Sequence, residues 1–183
     1  MTPDRSPPLR RQFEEYARRG AAEAEVAAQC LALLDDVADP FGRERLAGHF
    51  TGSAWLVDAA GERVLLTHHR KLQRWLQLGG HADGDRDLAQ VALREAQEES
   101  GLEGLVLADG ELFDLDRHWI PGRGDVPGHW HYDARYVVRA TGSEEFVVSE
   151  ESLALAWRPV AELLEDPQSD ESMRRMAGKW LAR

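Results

Sequence analysis

Residues 78–102 read LGGHADGDRDLAQVALREAQEESGL, and they crowd three glutamates, Glu95, Glu98 and Glu99, onto little more than one helical turn. Like charges at helical spacing repel, so the crowding needs a reason. The stretch itself reads as a helix. Asp85 or Asp87 supplies the N-cap, and acidic residues suit the N-terminal end of the helix dipole. Gly101 stands where a C-terminal glycine stops a helix. At about 100° per residue, Leu88, Val91, Ala92, Glu95, Glu98 and Glu99 share one face. That face begins apolar, so it turns inward, and it ends in carboxylates.

A solvated acidic face is the ordinary reading of such a string. Here the carboxylates continue the apolar stripe, and carboxylates taken out of water must be paired or coordinated. Arg94 lies one turn from Glu98 and Arg86 two turns further back. One arginine cannot balance three carboxylates, whereas a hard divalent cation can. Mg²⁺ prefers oxygen ligands and commonly bridges carboxylates to substrate phosphates.

The spacing carries more. The stretch resembles the signature of the Nudix hydrolase family, G-x5-E-x7-R-E-U-x-E-E-x-G-U with U aliphatic. Gly80, Arg94, Glu95, Ala96, Glu98, Glu99, Gly101 and Leu102 match it in register. Two positions depart: Arg86 stands where the first glutamate falls, flanked by Asp85 and Asp87, and Leu78 stands where many members have proline. The resemblance implies an α/β (α+β) fold, an α/β/α sandwich with a mixed sheet. It implies hydrolysis of a pyrophosphate bond in a small nucleoside-diphosphate-linked substrate. Glu95, Glu98, Glu99 and the Gly79 carbonyl would ligate Mg²⁺ or Mn²⁺, and Arg94 would hold a glutamate in position. Members draw their catalytic base from the box or from a later loop. Glu151, in VVSEESLALAW, is the favoured base and Glu98 the fallback.

Outward from this stretch, short apolar runs predict strands: SAWLVDAAGERVLLTHH as a hairpin turning at Ala59–Glu62, KLQRWLQL, GLVLADGELFDLDRHWI, HWHYDARYVVRA, a short strand in TGSEEFVVSEE, and LALAWRPV. AELLED and SMRRMAGKWLAR read as helical. Before Gly52, the segments RRQFEEYARRG and AAEAEVAAQCLALLDDVAD carry helical periodicity, separated by Gly20 and ended by Pro40. FGRERLAGHF is read as a short third helix. The expected division is a disordered segment 1–8, a helical extension 9–50 outside the sandwich core, and a Nudix hydrolase domain 51–183. The apolar faces of the first helices suggest a homodimer.

In HWHYDARY, alternation puts His129, His131, Asp133 and Arg135 on one strand face and Trp130, Tyr132, Ala134 and Tyr136 on the other. The polar face reads either as a lining of the substrate cavity, with His81, or as a buried hydrogen-bonded network. Arg123, in PGRGDVPG, is a candidate phosphate clamp, and Trp119 or Trp130 a candidate platform for a base.

The whole composition limits partners and compartment. The net charge of −11 argues against broad binding to nucleic acid, but a bound cation would reverse the sign locally for a small phosphate ester. No apolar run reaches the length of a membrane span, and the start MTPDRSPPLRRQF lacks a secretory core. Cys30 is the one cysteine, which excludes an intrachain disulfide. A cytoplasmic enzyme is expected. Three rivals stand beside it: a ligand-binding regulator on the same fold, an RNA 5′-end pyrophosphohydrolase, and an isoprenoid-diphosphate isomerase. The last uses a catalytic cysteine in related enzymes, and Cys30 lies outside the expected core.

Overall fold

A computed structural model describes residues 8–36, 38–150 and 152–183. Two helices come first, α1 (Leu9–Ala17) and α2 (Ala21–Leu34). Six strands follow: β1 (Gly48–Val57), β2 (Arg63–His69), β3 (Arg74–His81), β4 (Leu105–Ile120), β5 (His129–Ala140) and β6 (Ser152–Pro159). Helix α3 (Leu88–Ser100) joins β3 to β4, and α4 (Glu171–Leu181) closes the chain. The strands form one mixed sheet in the order β4-β5-β1-β3-β2-β6. β1 and β5 run parallel and the remaining pairs antiparallel. The expected sandwich with a mixed sheet is the observed one.

β1 is the spine of the sheet, and all ten of its residues are buried. Covered on both faces, it reads as a nearly continuous run of apolar and small residues, as central strands do. Gly61, at φ 76, makes the turn after it, and Asp58 ties the turn by accepting from the Glu62 and Arg63 amides. The hairpin expected from this stretch closes at Val57↔Val64, beside the turn. Further on its arms diverge and β3 enters between them, with Gly79 opposite Ser53 and Gln77 opposite Leu66. Alternation alone cannot tell which neighbour a strand takes when both of its faces are buried.

Three other expectations change. FGRERLAGHF forms turns and the start of β1, with no helix. In TGSEEFVVSEE no strand forms among the described residues: the Val147 amide donates to Ser100 O at 2.8 Å, and Phe146 packs on the core, so the segment lies over the end of α3. AELLED becomes a 3-10 turn, Val160–Leu164. Pro167 follows closely, and the residue before a proline disfavours the α region.

Helices α1 and α2 do not stand apart from the sheet. Phe13, Tyr16, Ala27, Cys30 and Leu33 belong to the same buried cluster as Phe50, Leu56, Tyr136 and the α3 residues Leu88, Val91, Ala92 and Ala96. Burying each large side chain stabilises the fold by about 1.5–3 kcal/mol. The apolar faces that suggested a dimer are thus covered by the chain's own sheet. Residues 1–7 of the expected disordered segment lie outside the described residues. The opposite side is closed by α4 and the 3-10 turn, which pack Met173, Met176, Val160 and Leu163 on Trp55, Val57, Leu66 and Val137.

Between these layers lies a buried ionic network. Arg135 is 2% exposed; it pairs with Asp114 at 3.0 Å, Asp133 at 2.8 Å and Asp116 at 3.3 Å. Arg175 and Lys179 of α4 reach the same Asp114 at 2.8 and 2.9 Å, and the Tyr16 hydroxyl of α1 donates to it at 3.0 Å. Thr51 and Ser53 donate to Asp133 at 2.8 and 2.7 Å. Of the two readings of the HWHYDARY face, the buried network holds for Asp133 and Arg135.

Burial alone would raise the Asp114 carboxyl, but the Arg175 hydrogen bond and the charges of Arg135, Arg175 and Lys179 hold it down at about 2. Because the folded value is depressed, its stabilisation is complete above about pH 4 and is lost as pH falls through about 2. Stability should therefore drop by on the order of 2 kcal/mol across that window. Urea unfolding at pH 5, 3 and 2 reads this, and Asp114→Asn should flatten the dependence.

Candidate active site

The end of β3 and the start of α3 build the site together. Asp87 caps α3 by accepting from the Gln90 amide at 3.1 Å, and Gly101, at φ 67, ends it in the left-handed region. The N-cap and C-cap are among those foreseen. Gly52 and Gly80 let the helix approach the sheet. A Cβ on Gly52 would sit 2.8 Å from the Leu88 carbonyl, and one on Gly80 would collide with the Glu95 carboxylate. Only glycine leaves room there for a carboxyl group against the strand.

The glutamates are graded along α3. Glu95 and Glu99 are half-buried and Glu98 is exposed. Arg94 donates to Asp85 at 3.3 Å and lies 3.9 Å from Glu95 Oε1, so it bridges the N-terminal loop of the helix to the first glutamate. Gly79 precedes this junction, packed against Ser53. The structure thus brings Gly79, Gly80, Arg94 and Glu95 to one place and leaves Glu98 toward solvent. A divalent cation fits the donor set, since carboxylate and carbonyl oxygens are what Mg²⁺ and Mn²⁺ take and the Gly80 cradle lets the Glu95 carboxylate lie against the end of β3. Glu151, the favoured base, lies outside the described residues.

Arg86, at the departing position, contacts the segment before β1. Its guanidinium lies 3.7 Å from Asp39 and 5.0 Å over the Phe41 ring, largely exposed. Arg86→Glu should therefore cost less than about 1 kcal/mol, as loss of an exposed pair does, and leave kcat/KM within tenfold of the parent. Melting and steady-state kinetics decide it; a larger kinetic loss with unchanged melting would make Arg86 a substrate contact.

The histidines gather on the other face of the sheet. Strand alternation turns His49 and His81 away from the side on which Gly52 and Gly80 meet α3. His49 lies opposite His131 in the parallel β1–β5 pairing, and His118 opposite His131 across β4–β5. The rings of His49, His129 and His131 stand 5.0 Å apart pairwise, with His81 at 5.2 Å from His49 and from His131. Burial, then the neighbouring imidazoles, pushes His131 down to about 2. Burial, then Arg43 and His49, brings His81 to about 4. Both are neutral at pH 7. His81, His129 and His131 therefore stand together, and His49 is the member that the sequence reading missed. Its signal lay in GHFTGSAW, where His49, Thr51 and Ser53 alternate onto one polar face.

Arg123 sits in the loop that joins β4 to β5, beyond the Ile120↔His129 pair, its amide donating to Val126 O at 2.9 Å. Trp119 and Trp130 pair across the same strands at 5.2 Å, and Arg117 lies 3.7 Å over the Trp130 ring. Trp119 is 51% exposed, so the pair presents an aromatic surface on the face of β5 opposite His129 and His131.

Known proteins match this architecture. The chain covers 73% of itself and 95% of a Caenorhabditis elegans Ap4A hydrolase, at 17% identity and TM-score 0.57. A NUDIX-family hydrolase from Clostridium perfringens is 27% identical over 73% of this chain and 96% of its own, at TM-score 0.52. The Escherichia coli dihydroneopterin triphosphate pyrophosphohydrolase gives 15% identity, 73% and 94% coverage, and TM-score 0.55. No curated protein matches the sequence significantly. The family model for the NUDIX domain matches residues 49–178, from the second residue of β1 into α4. The glycine-cradled Glu95 thus sits in the frame that this match defines, and the chain belongs to the Nudix family.

Proposed function

We propose that the chain hydrolyses a pyrophosphate bond in a small nucleoside-diphosphate-linked or related diphosphate compound, with Mg²⁺ or Mn²⁺ held by Glu95, Glu98, Glu99 and the Gly79 carbonyl. The observation that carries this reading is Glu95 seated over Gly80 beside Arg94. A bound divalent cation supplies charge neutralisation for phosphate oxygens and a more acidic water. The chain's own residues do the rest. Arg94 orients Glu95 while pairing with Asp85, so the first glutamate is fixed before substrate arrives. Glu151 is the favoured base to accept a proton from an attacking water, and Glu98, exposed on the turn after Glu95, is the fallback. His81, His129, His131 and Arg123 are substrate-binding candidates, and Trp119 and Trp130 offer a stacking surface for a base.

The named activities of the structural neighbours, on Ap4A and on dihydroneopterin triphosphate, favour a soluble small-molecule substrate over RNA, as does the net charge of −11. No helix among the described residues is long and apolar enough to cross a membrane. A panel of dinucleoside polyphosphates, nucleotide sugars, ADP-ribose and nucleoside triphosphates, each with Mg²⁺ and with Mn²⁺, tests the reading through released phosphate species. Turnover of at least one compound, abolished by EDTA, is expected. Tight binding of such a compound without turnover under either metal would favour the ligand-binding regulator.

A further inference from the structure

We propose that His49, His129 and His131 form a binding site for a first-row divalent transition-metal ion of the Zn²⁺ type, ligated through their Nε2 atoms and separate from the glutamates of α3. Among the described residues these three are the group of His, Cys, Asp or Glu whose donor atoms all lie within 4.8 Å of one another. The set is all imidazole, which suits Zn²⁺, Ni²⁺ or Cu²⁺ and not the hard cations expected at carboxylates.

The tautomers are already set for ligation. His49 Nδ1 lies 3.2 Å from the Arg45 carbonyl, and His129 Nδ1 lies 2.9 Å from the Pro127 carbonyl. A carbonyl only accepts, so both rings carry their proton on Nδ1 and present Nε2 as a bare lone pair. This outer hydrogen bond is the device that orients metal-binding histidines. His49 is 2% exposed, and its Nε2 has no hydrogen-bond partner. A buried polar atom left bare is costly unless something fills the place.

The spacing is close to what an ion needs. Nitrogens bound at about 2.0–2.1 Å in tetrahedral geometry stand about 3.3 Å apart. His129 and His131 already face each other at 3.1 Å between their Nε2 atoms. Without a cation that contact requires a proton on His131 Nε2. With one, the proton moves to His131 Nδ1 and all three lone pairs converge. Two ligands come from one strand, two residues apart, and the third from its parallel neighbour directly opposite His131. The sheet therefore fixes the backbone of the site, and small ring movements close it. Three ligands leave a fourth position for water or for an oxygen of a bound molecule. His81 and His118 wall the site, ring against His131.

Titration of the metal-free full chain with Co²⁺, followed by visible absorption, tests this. One equivalent should give the intense bands of a low-coordinate ion. His131→Gln should weaken that binding by more than about a hundredfold, since even outer-shell changes cost 10–100-fold. The double variant Glu95→Gln with Glu99→Gln should keep the bands. A readout without substitutions accompanies it: on ¹⁵N-histidine-labelled parent, one equivalent of Zn²⁺ should move the Nε2 resonances of three histidines while the Nδ1 protons of His49 and His129 remain and the His131 proton passes from Nε2 to Nδ1. The proposal is overturned if those resonances stay in place, or if the Co²⁺ bands vanish with the glutamate variant and survive His131→Gln.

Discussion

Glu99→Gln should lower kcat by about 10²–10³-fold, the scale of removing one electrostatic group from a preorganised site. The change keeps the shape and removes the charge, so folding should be little affected. Glu99 is half-buried at the last turn of α3, where Gly101 already ends the helix and Asp87, not a glutamate, caps it. Melting should stay within a few degrees of the parent. Apparent affinity for Mg²⁺ should fall as well, and the two effects together distinguish a ligand from a merely acidic neighbour. Full activity at saturating Mg²⁺ would remove Glu99 from the ligand set and leave Glu95 and Glu98 to account for it.

The second large effect is on stability. Arg135→Met should destabilise the chain by about 3–5 kcal/mol, because it leaves buried carboxylates without their counter-charge. For a chain of 183 residues that is a loss on the order of 10 °C in Tm. Asp114, Asp116 and Asp133 all pair with this one guanidinium, and Asp114 and Asp133 are within a few per cent of complete burial. Arg175 and Lys179 would still hold Asp114, so Asp133 is the group most exposed to the loss. Adding Asp133→Asn to Arg135→Met should therefore recover part of it. A single-variant cost below about 1 kcal/mol would show that water enters and screens the network.

The fold and the candidate site were legible in the sequence to different degrees. Helix α3 was readable end to end, because its cap, its glycine stop and its apolar stripe all lie within one local segment. The contact of Glu95 with Gly80 was not foreseen: the signature named both residues, but that the carboxylate lies against the strand at this glycine depends on how α3 docks on the sheet. Strand partners were not readable: β3 enters between the arms of an apparent hairpin, and pairing over that distance leaves no local mark. The ionic network was half visible. Asp133 and Arg135 showed themselves by alternation, whereas Arg175 and Lys179 lie on a helix whose polar face looks solvated until it docks beside Asp114. His49 was hidden for the same reason. It is one histidine in a buried strand, and only the parallel pairing with β5 reveals that it stands opposite His131.

The single thiol of Cys30 turns the packing of α2 into something that can be timed. It is fully buried in the core, and that burial pushes it up to about 12, so at neutral pH it is both shielded and protonated. The thiolate is the reactive form, and alkylation must wait until α2 lifts from the sheet. Labelling by a small iodoacetamide thus counts the openings of the N-terminal helices, with no engineered probe and no second cysteine to confuse the signal. The unmodified chain reports its own breathing.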